Sequence, residues 1–213
     1  MLRLYDYLPS QNAWKIRLLL SHLGLKYERV PISIFEGESR TDAYLDKNPA
    51  GAVPVLEVEA GQCIAESNAI LCYLAEGTSY LPEERFERAR VMQWLFFEQS
   101  YVEPQIGSLR YWTLTGKLAK RSEDMIAGKR AYSLRALAAL ERHLSTRKFL
   151  VAERYTIADM AIYAYAAHAD EAGLDLKAYP AFRAWIACVE AQPGFLHERF
   201  SYSVDPSASR ELA

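Results

Sequence analysis

Ser10 and Asn12 stand two residues apart, just after the alternating run Leu2–Tyr7 and just before an apolar run that begins at Ala13. A hydroxyl or amide donor there, near the start of a helix, would favour an anion over its neutral acid. Tyr7 offers a third donor at the end of the same run. Glu66-Ser67 opens a second helix-like stretch, where backbone amides and a serine hydroxyl suit a carboxylate and the Glu66 side chain suits an amine. Val53-Pro54 lies between them; a proline held in cis turns the chain sharply and exposes the backbone of the residue before it. Each group has a plainer reading as well. Ser10, Asn12 and Ser67 are good helix caps, Pro54 can enter a strand in trans, and Arg40 can be a surface cation.

These residues need elements to hold them. Leu2–Tyr7 and Tyr27–Ile34 read as strands, and Ala13–Leu23 as a helix stopped by Gly24. Thr41–Asp46 is expected as a short helix. Val55–Val58 and Gln62–Ala65 read as strands joined at Glu59-Ala60-Gly61, with a helix over Glu66–Ala75. The order β-α-β-α-β-β-α predicts a mixed sheet with helices on its faces. Beyond Gly77 the strand signals stop. Pro82-Glu83-Glu84 reads as the start of a long helix, which Pro104 should kink or interrupt. Ser122–Leu144 follows, with Leu134, Leu137, Leu140 and Leu144 on one side. Next comes Thr156 to about Glu171, opened by a Thr156–Asp159 capping box, so that Asp159 is read as structural. The last helix runs from Tyr179-Pro180 to Gln192-Pro193. The expected organisation is an α/β domain over residues 1–78, a linker at 79–83, an all-helical domain over 84–205 and a tail at 206–213.

Composition narrows the function classes. With 51% hydrophobic and 24% charged residues, the chain can bury a proper core. The net charge of -2 and the scattered Lys and Arg give no basic field, so no nucleic-acid partner is expected. Cys63, Cys72 and Cys188 form no CxxC pair, and His22, His143, His168 and His197 show no ligand spacing, so no metal is expected. The apolar runs are too short to cross a bilayer, and no secretory signal is read at the start. A cytoplasmic protein without a membrane partner is the expectation.

Four segments in order resemble the glutathione S-transferase family: Leu4–Arg17, its first strand, loop and helix; Asn48–Leu56, its "NPxGxVPxL" segment; Ile64–Ile70, its "ES" helix start; and Tyr155–Asp159, its helical-domain capping box. The resemblance implies a thioredoxin-like domain with a mixed four-stranded sheet, followed by an all-α helical bundle. It implies glutathione as co-substrate, with Pro54 in cis and the backbone of Val53 paired to the cysteinyl part like an added strand. Ser67 would take the γ-glutamyl carboxylate and Glu66 its amine. Where many members carry a lysine before the Val-Pro pair this chain has Ala52, and Arg40 is the nearest candidate for the glycyl carboxylate.

The same resemblance implies chemistry at sulfur. A free thiol has a pKa of about 8.5, and lowering it by about two pH units requires roughly 2.7 kcal/mol of preferential thiolate stabilisation. Ser10 ranks first as the donor, Asn12 second and Tyr7 third. The electrophile is expected between this loop and the first long helices, with Tyr7, Tyr101, Arg110, Tyr111 and Trp112 as candidate walls. The leading function is transfer of the glutathione sulfur to a small hydrophobic electrophile. The alternatives are glutathione-dependent disulfide or peroxide reduction, and a non-catalytic binding or regulatory protein. A homodimer is implied by the resemblance, with Trp94, Phe96 and Phe97 assigned to its interface or to the core.

Overall fold

The computed structural model describes residues 1–212. The chain divides into two compact units, Met1–Ala75 with the segment from Gly194 onward, and Glu76–Pro193.

In the first unit the strands are β1 (Leu2–Asp6), β2 (Tyr27–Pro31), β3 (Val55–Glu59) and β4 (Gln62–Ile64), in the sheet order β2-β1-β3-β4. β1 runs parallel to β2 and antiparallel to β3, and β3 is antiparallel to β4. This is the expected thioredoxin-like mixed sheet. The helices are α1 (Gln11–His22), α2 (Asp42–Leu45) and α3 (Ser67–Ala75), with a 3-10 turn at Glu38–Arg40. Leu4 and Leu56 from the central strands are fully buried with Ile16, Leu19 and Leu20 of α1 and Ile70 and Leu71 of α3. Each such side chain contributes about 2 kcal/mol of burial, which fixes α1 and α3 as one layer. β2 ends three residues short of the Ile34 expected from sequence. Pro31 has no amide to extend the ladder, and after one more bond, Ile32 N–H to Asp6 O at 2.9 Å, the Ser33 hydroxyl accepts from Phe35 N and turns the chain.

The second unit is helical: α4 (Arg85–Phe97), α5 (Ser108–Leu114), α6 (Glu123–Leu144), α7 (Ile157–Ala166) and α8 (Pro180–Glu190). Pro82 lies outside α4. Its cap is Glu84, whose carboxylate accepts from Phe86 N at 2.9 Å and Glu87 N at 2.8 Å. Pro104 breaks the α ladder without ending the rod. Glu98–Gly107 widens into π turns, and α5 resumes directly. The Pro104 carbonyl accepts from the Ser108 hydroxyl at 2.8 Å and from Lys129 Nζ at 2.5 Å.

α7 is buried along its whole length, as its all-round apolar character demands. It is shorter than expected, because turns replace the helix from Ala167 onward. Thr156 and Asp159 close the predicted capping box. The Asp159 carboxylate accepts from Thr156 N, the Thr156 hydroxyl, Leu150 N and the Trp185 indole N–H, all at 2.8–3.1 Å. It therefore ties α7 to the preceding loop and to α8. On α6, Leu137, Leu140 and Leu144 are buried, whereas Leu134 is 43% exposed and falls outside the expected stripe. Glu141 of α6 caps α8 by accepting from Ala181 N and Phe182 N, which proline at the first position of α8 leaves as its orphan donors.

Candidate functional site

Ser10 has extended backbone (φ -68°, ψ 122°) and caps α1, its oxygen accepting from Ala13 N at 3.3 Å. Its own amide donates to Tyr7 O at 2.8 Å, so the loop between β1 and α1 is a closed turn. Asn12, the second residue of α1, receives the Ser67 hydroxyl on its Oδ1 at 3.2 Å. This bond joins the first turn of α1 to the start of α3. One helical turn further, fully buried Lys15 donates to Asn68 Oδ1 at 2.9 Å and makes a second, parallel tie. Sequence reasoning passed over Lys15 and Asn68. Their signal was the three-residue step from Asn12 to Lys15 on one helix face, matched by the adjacent Ser67-Asn68 on the other helix.

Glu66 precedes α3 with φ +66°, a left-handed conformation, and its carbonyl accepts from Ile70 N at 3.0 Å. For a residue other than glycine that conformation costs about 1 kcal/mol, and such outliers gather at functional sites. The consequence here is geometric: the Glu66 side chain stands exposed beside buried Ser67 at a helix N-terminus.

The Val53-Pro54 bond is cis. The loop leading to it is built by buried Asn48, whose Oδ1 accepts from Ala50 N at 3.0 Å and whose Nδ2 donates to Ala52 O at 2.8 Å. The Tyr44 hydroxyl donates to the same carbonyl at 2.9 Å, and burial pushes that phenol well above its ordinary pKa. Arg40 lies along this loop, with Nη1 donating to Ala50 O at 2.8 Å. Gly51 makes that approach possible: it has φ +61°, and a Cβ would come 2.4 Å from the guanidinium. Val53 and Ala65, the residue before Glu66, pack on one small cluster of Tyr5, Tyr44 and Val55. Among the described residues, no hydrogen bond engages the Val53 N–H or C=O. The first unit thus brings Ser10, Asn12, Arg40, Val53, Pro54, Glu66 and Ser67 into one framework.

Tyr7 is buried, with its ring edge-on to Phe35 at 6.1 Å and tilted on Tyr202 at 6.2 Å. The other wall candidates belong to the second unit. Tyr101 is 56% exposed, with its ring 5.2 Å from Phe97. Arg110 is buried and donates to Glu171 at 2.5 Å, so its charge is already neutralised. The Tyr111 hydroxyl accepts from buried Lys117 Nζ at 2.7 Å. Trp112 is half-buried, with Arg121 and Lys129 on its ring at 5.1 and 5.4 Å. Trp94 is buried against His143, and Phe96 is 70% exposed. The three cysteines are half-buried and form no disulfide, and burial pushes up the pKa of the Cys63 thiol. Among the described residues no cluster could hold a metal ion, and no helix is long and apolar enough to cross a membrane.

The family description "Glutathione S-transferase, N-terminal domain" matches residues 1–76, and "Glutathione S-transferase, C-terminal domain" matches residues 92–193. A solved glutathione S-transferase from Pseudomonas fluorescens is 42% identical, with 92% of this chain and 97% of that one covered and a TM-score of 0.89. A glutathione transferase from Phanerochaete chrysosporium, solved in complex with oxidized glutathione, is 28% identical with a TM-score of 0.81, over 91% of this chain and 92% of that one. Elongation factor 1-gamma from Artemia salina is 33% identical over 75% of this chain, which spans only 36% of that protein's length. A disulfide-bond oxidoreductase from Escherichia coli is 28% identical over 91% of this chain and 92% of its own. On the two domain matches, the Pseudomonas relative and the sheet order, the chain belongs to the glutathione S-transferase family.

Proposed function

We propose that the protein is a glutathione transferase that holds glutathione in its first unit and presents the sulfur as a thiolate. The observation that carries this reading is the Ser67–Asn12 hydrogen bond at 3.2 Å, which ties the first turn of α1, next to Ser10, to the helix start proposed for the carboxylate. The α3 amides and the Ser67 hydroxyl, turned from Asn12 to the ligand, would bind the γ-glutamyl carboxylate, and exposed Glu66 its amine. The Val53 backbone would pair with the cysteinyl residue. Arg40, held against the loop before Val53, would meet the glycyl carboxylate in place of the cation missing at Ala52.

Ser10 is the proposed donor to sulfur. Its oxygen accepts from Ala13 N, so its hydrogen can point outward to a thiolate at the positive end of α1. The thiolate attacks an electrophilic carbon, the new C–S bond forms as the halide or other leaving group departs with the bonding electrons, and the thiol proton passes to solvent. Tyr7, enclosed by Phe35 and Tyr202, is a poorer donor. The electrophile is expected to be small and hydrophobic. A cytoplasmic homodimer belongs to the same reading, with exposed Phe96 a candidate for its interface.

Asn12 and the Escherichia coli relative support a second reading, disulfide reduction. There the glutathione thiolate would attack a disulfide sulfur and release one thiol, and a second glutathione would resolve the mixed disulfide. The test is titration of the bound thiol by its thiolate absorbance. We expect a pKa about two pH units below the free value of about 8.5 in the wild type and in Tyr7→Phe, returning most of the way in Ser10→Ala. Loss in Asn12→Ala rather than in Ser10→Ala would favour the reductase reading. Binding with an unshifted thiol would favour a non-catalytic role.

A further inference from the structure

Residues 194–207 run along α1 and reach the loops beside the thiol-handling turn. The Ser21 hydroxyl, at the far end of α1, donates to Gly194 O at 3.1 Å. Phe195 meets Trp14 edge-on at 5.7 Å, and the Trp14 indole N–H donates to Leu196 O at 3.3 Å. Arg17 donates to Glu198 at 2.7 Å and lies over Phe200 at 5.8 Å, while its other arm holds Asp6 at the end of β1 at 2.7 Å. Tyr202 then reaches Tyr7. Asp205 accepts the Ser33 hydroxyl at 2.8 Å, and the Ser207 hydroxyl donates to Glu36 at 2.9 Å. Asp205 also accepts from Ser207 N at 2.8 Å, which makes Tyr202–Ser207 a compact knot rather than a loose end.

That knot grips two loops at once, the turn Tyr7–Ser10 through the Tyr7 ring and the turn Ser33–Glu36 through two hydroxyl–carboxylate bonds. It does not pack continuously on them. A cavity of about 260 Å³ lies there, lined in part by Tyr7, Pro9, Ile32, Val204 and Pro206. Because Ser10 N–H is bonded to Tyr7 O, a shift of Tyr7 is passed to Ser10 through the backbone.

We infer that Tyr202–Ser207 is a positioning strap that sets the Tyr7–Ser10 turn, and through it the Ser10 hydroxyl, against the glutathione sulfur. This rests on the proposal that Ser10 handles the thiol. A tail that only adds stability would affect the whole unit alike, and a strap acts on two loops and on the thiol. The experiment uses the full chain with Tyr202→Leu, and with Ser33→Ala, which cuts the grip from the other side. Amide exchange is measured without ligand, and the glutathione dissociation constant and bound-thiol pKa are measured with it. Exchange over residues 7–12 and 32–36 is expected to rise about tenfold while β3 and α3 stay unchanged. The thiol pKa is expected to rise by about one pH unit, with little change in the dissociation constant measured below about pH 6, where the thiol is protonated in both proteins and the Val53 and Ser67 contacts are untouched. Unchanged loop exchange, a uniform rise through the unit, or faster loops with an unmoved thiol pKa would each overturn the strap. If the wild type binds no glutathione, the transferase reading fails and the exchange arm alone decides whether the strap holds the loops.

Discussion

Ser10, Asn12, Glu66 and Ser67 were visible as chemistry in the sequence because each sits where an apolar pattern begins. What their side chains touch was not visible, since that depends on burial. Asp159 shows how far residue-scale reasoning reaches. Its cap role follows from the Thr-x-x-Asp spacing, but the further bonds to Leu150 N and the Trp185 indole require knowing the neighbours. Burial pushes this carboxyl up to about 6, against the lowering effect of Trp185, Leu150 and Thr156. A carboxyl whose folded pKa lies above the unfolded value of about 3.9 holds its proton more tightly when folded. Its stabilising contribution is therefore full below about pH 4 and is lost as the pH rises through about 6, a change on the order of 3 kcal/mol. Denaturation of the wild type and Asp159→Asn at several pH values should show the wild type's advantage shrinking over that window. An advantage that is flat or grows with pH would contradict it. Arg110 illustrates the opposite case: nothing in its neighbourhood in the chain pointed to Glu171, sixty-one residues on, so its pairing was illegible.

At the scale of elements, period and caps located every strand and most helices, and the errors fell where backbone chemistry competes with pattern. Pro31 cut β2 short, Glu84 rather than Pro82 began α4, and Pro104 was absorbed by π turns. Gly107, at the end of those turns, lets the rod approach α7 closely, since a Cβ there would lie 2.9 Å from the Tyr165 ring. The turn before α7 carries the clearest local conflict. Val151 and Arg154 form a bridge around Ala152 and Glu153, which have φ +55° and +50°. A two-residue turn of this kind favours Asn-Gly, and neither residue here is suited to it. Ala152→Gly should therefore stabilise the protein by about 0.5–1 kcal/mol, read as a raised denaturation midpoint with unchanged slope. A destabilisation of that size would mean that contacts of the alanine methyl outweigh the strain.

At the scale of the whole molecule, the change from mixed β/α pattern to helices near residue 80 was legible, and the first unit gathers every residue assigned to glutathione. The return of the segment from Gly194 to that unit was not legible, because Phe195, Phe200 and Tyr202 have no periodic pattern and their partners on α1 and β1 lie far away in sequence. The central claim is that this unit binds glutathione through Ser67 and the Val53 backbone. Calorimetric titration of the intact protein with reduced glutathione tests it most directly. Binding with a dissociation constant in the micromolar to millimolar range, about −8 to −4 kcal/mol, is predicted for the wild type, weakened about tenfold or more in Ser67→Ala. No heat of binding at several millimolar glutathione, or undiminished affinity in Ser67→Ala, would contradict the account.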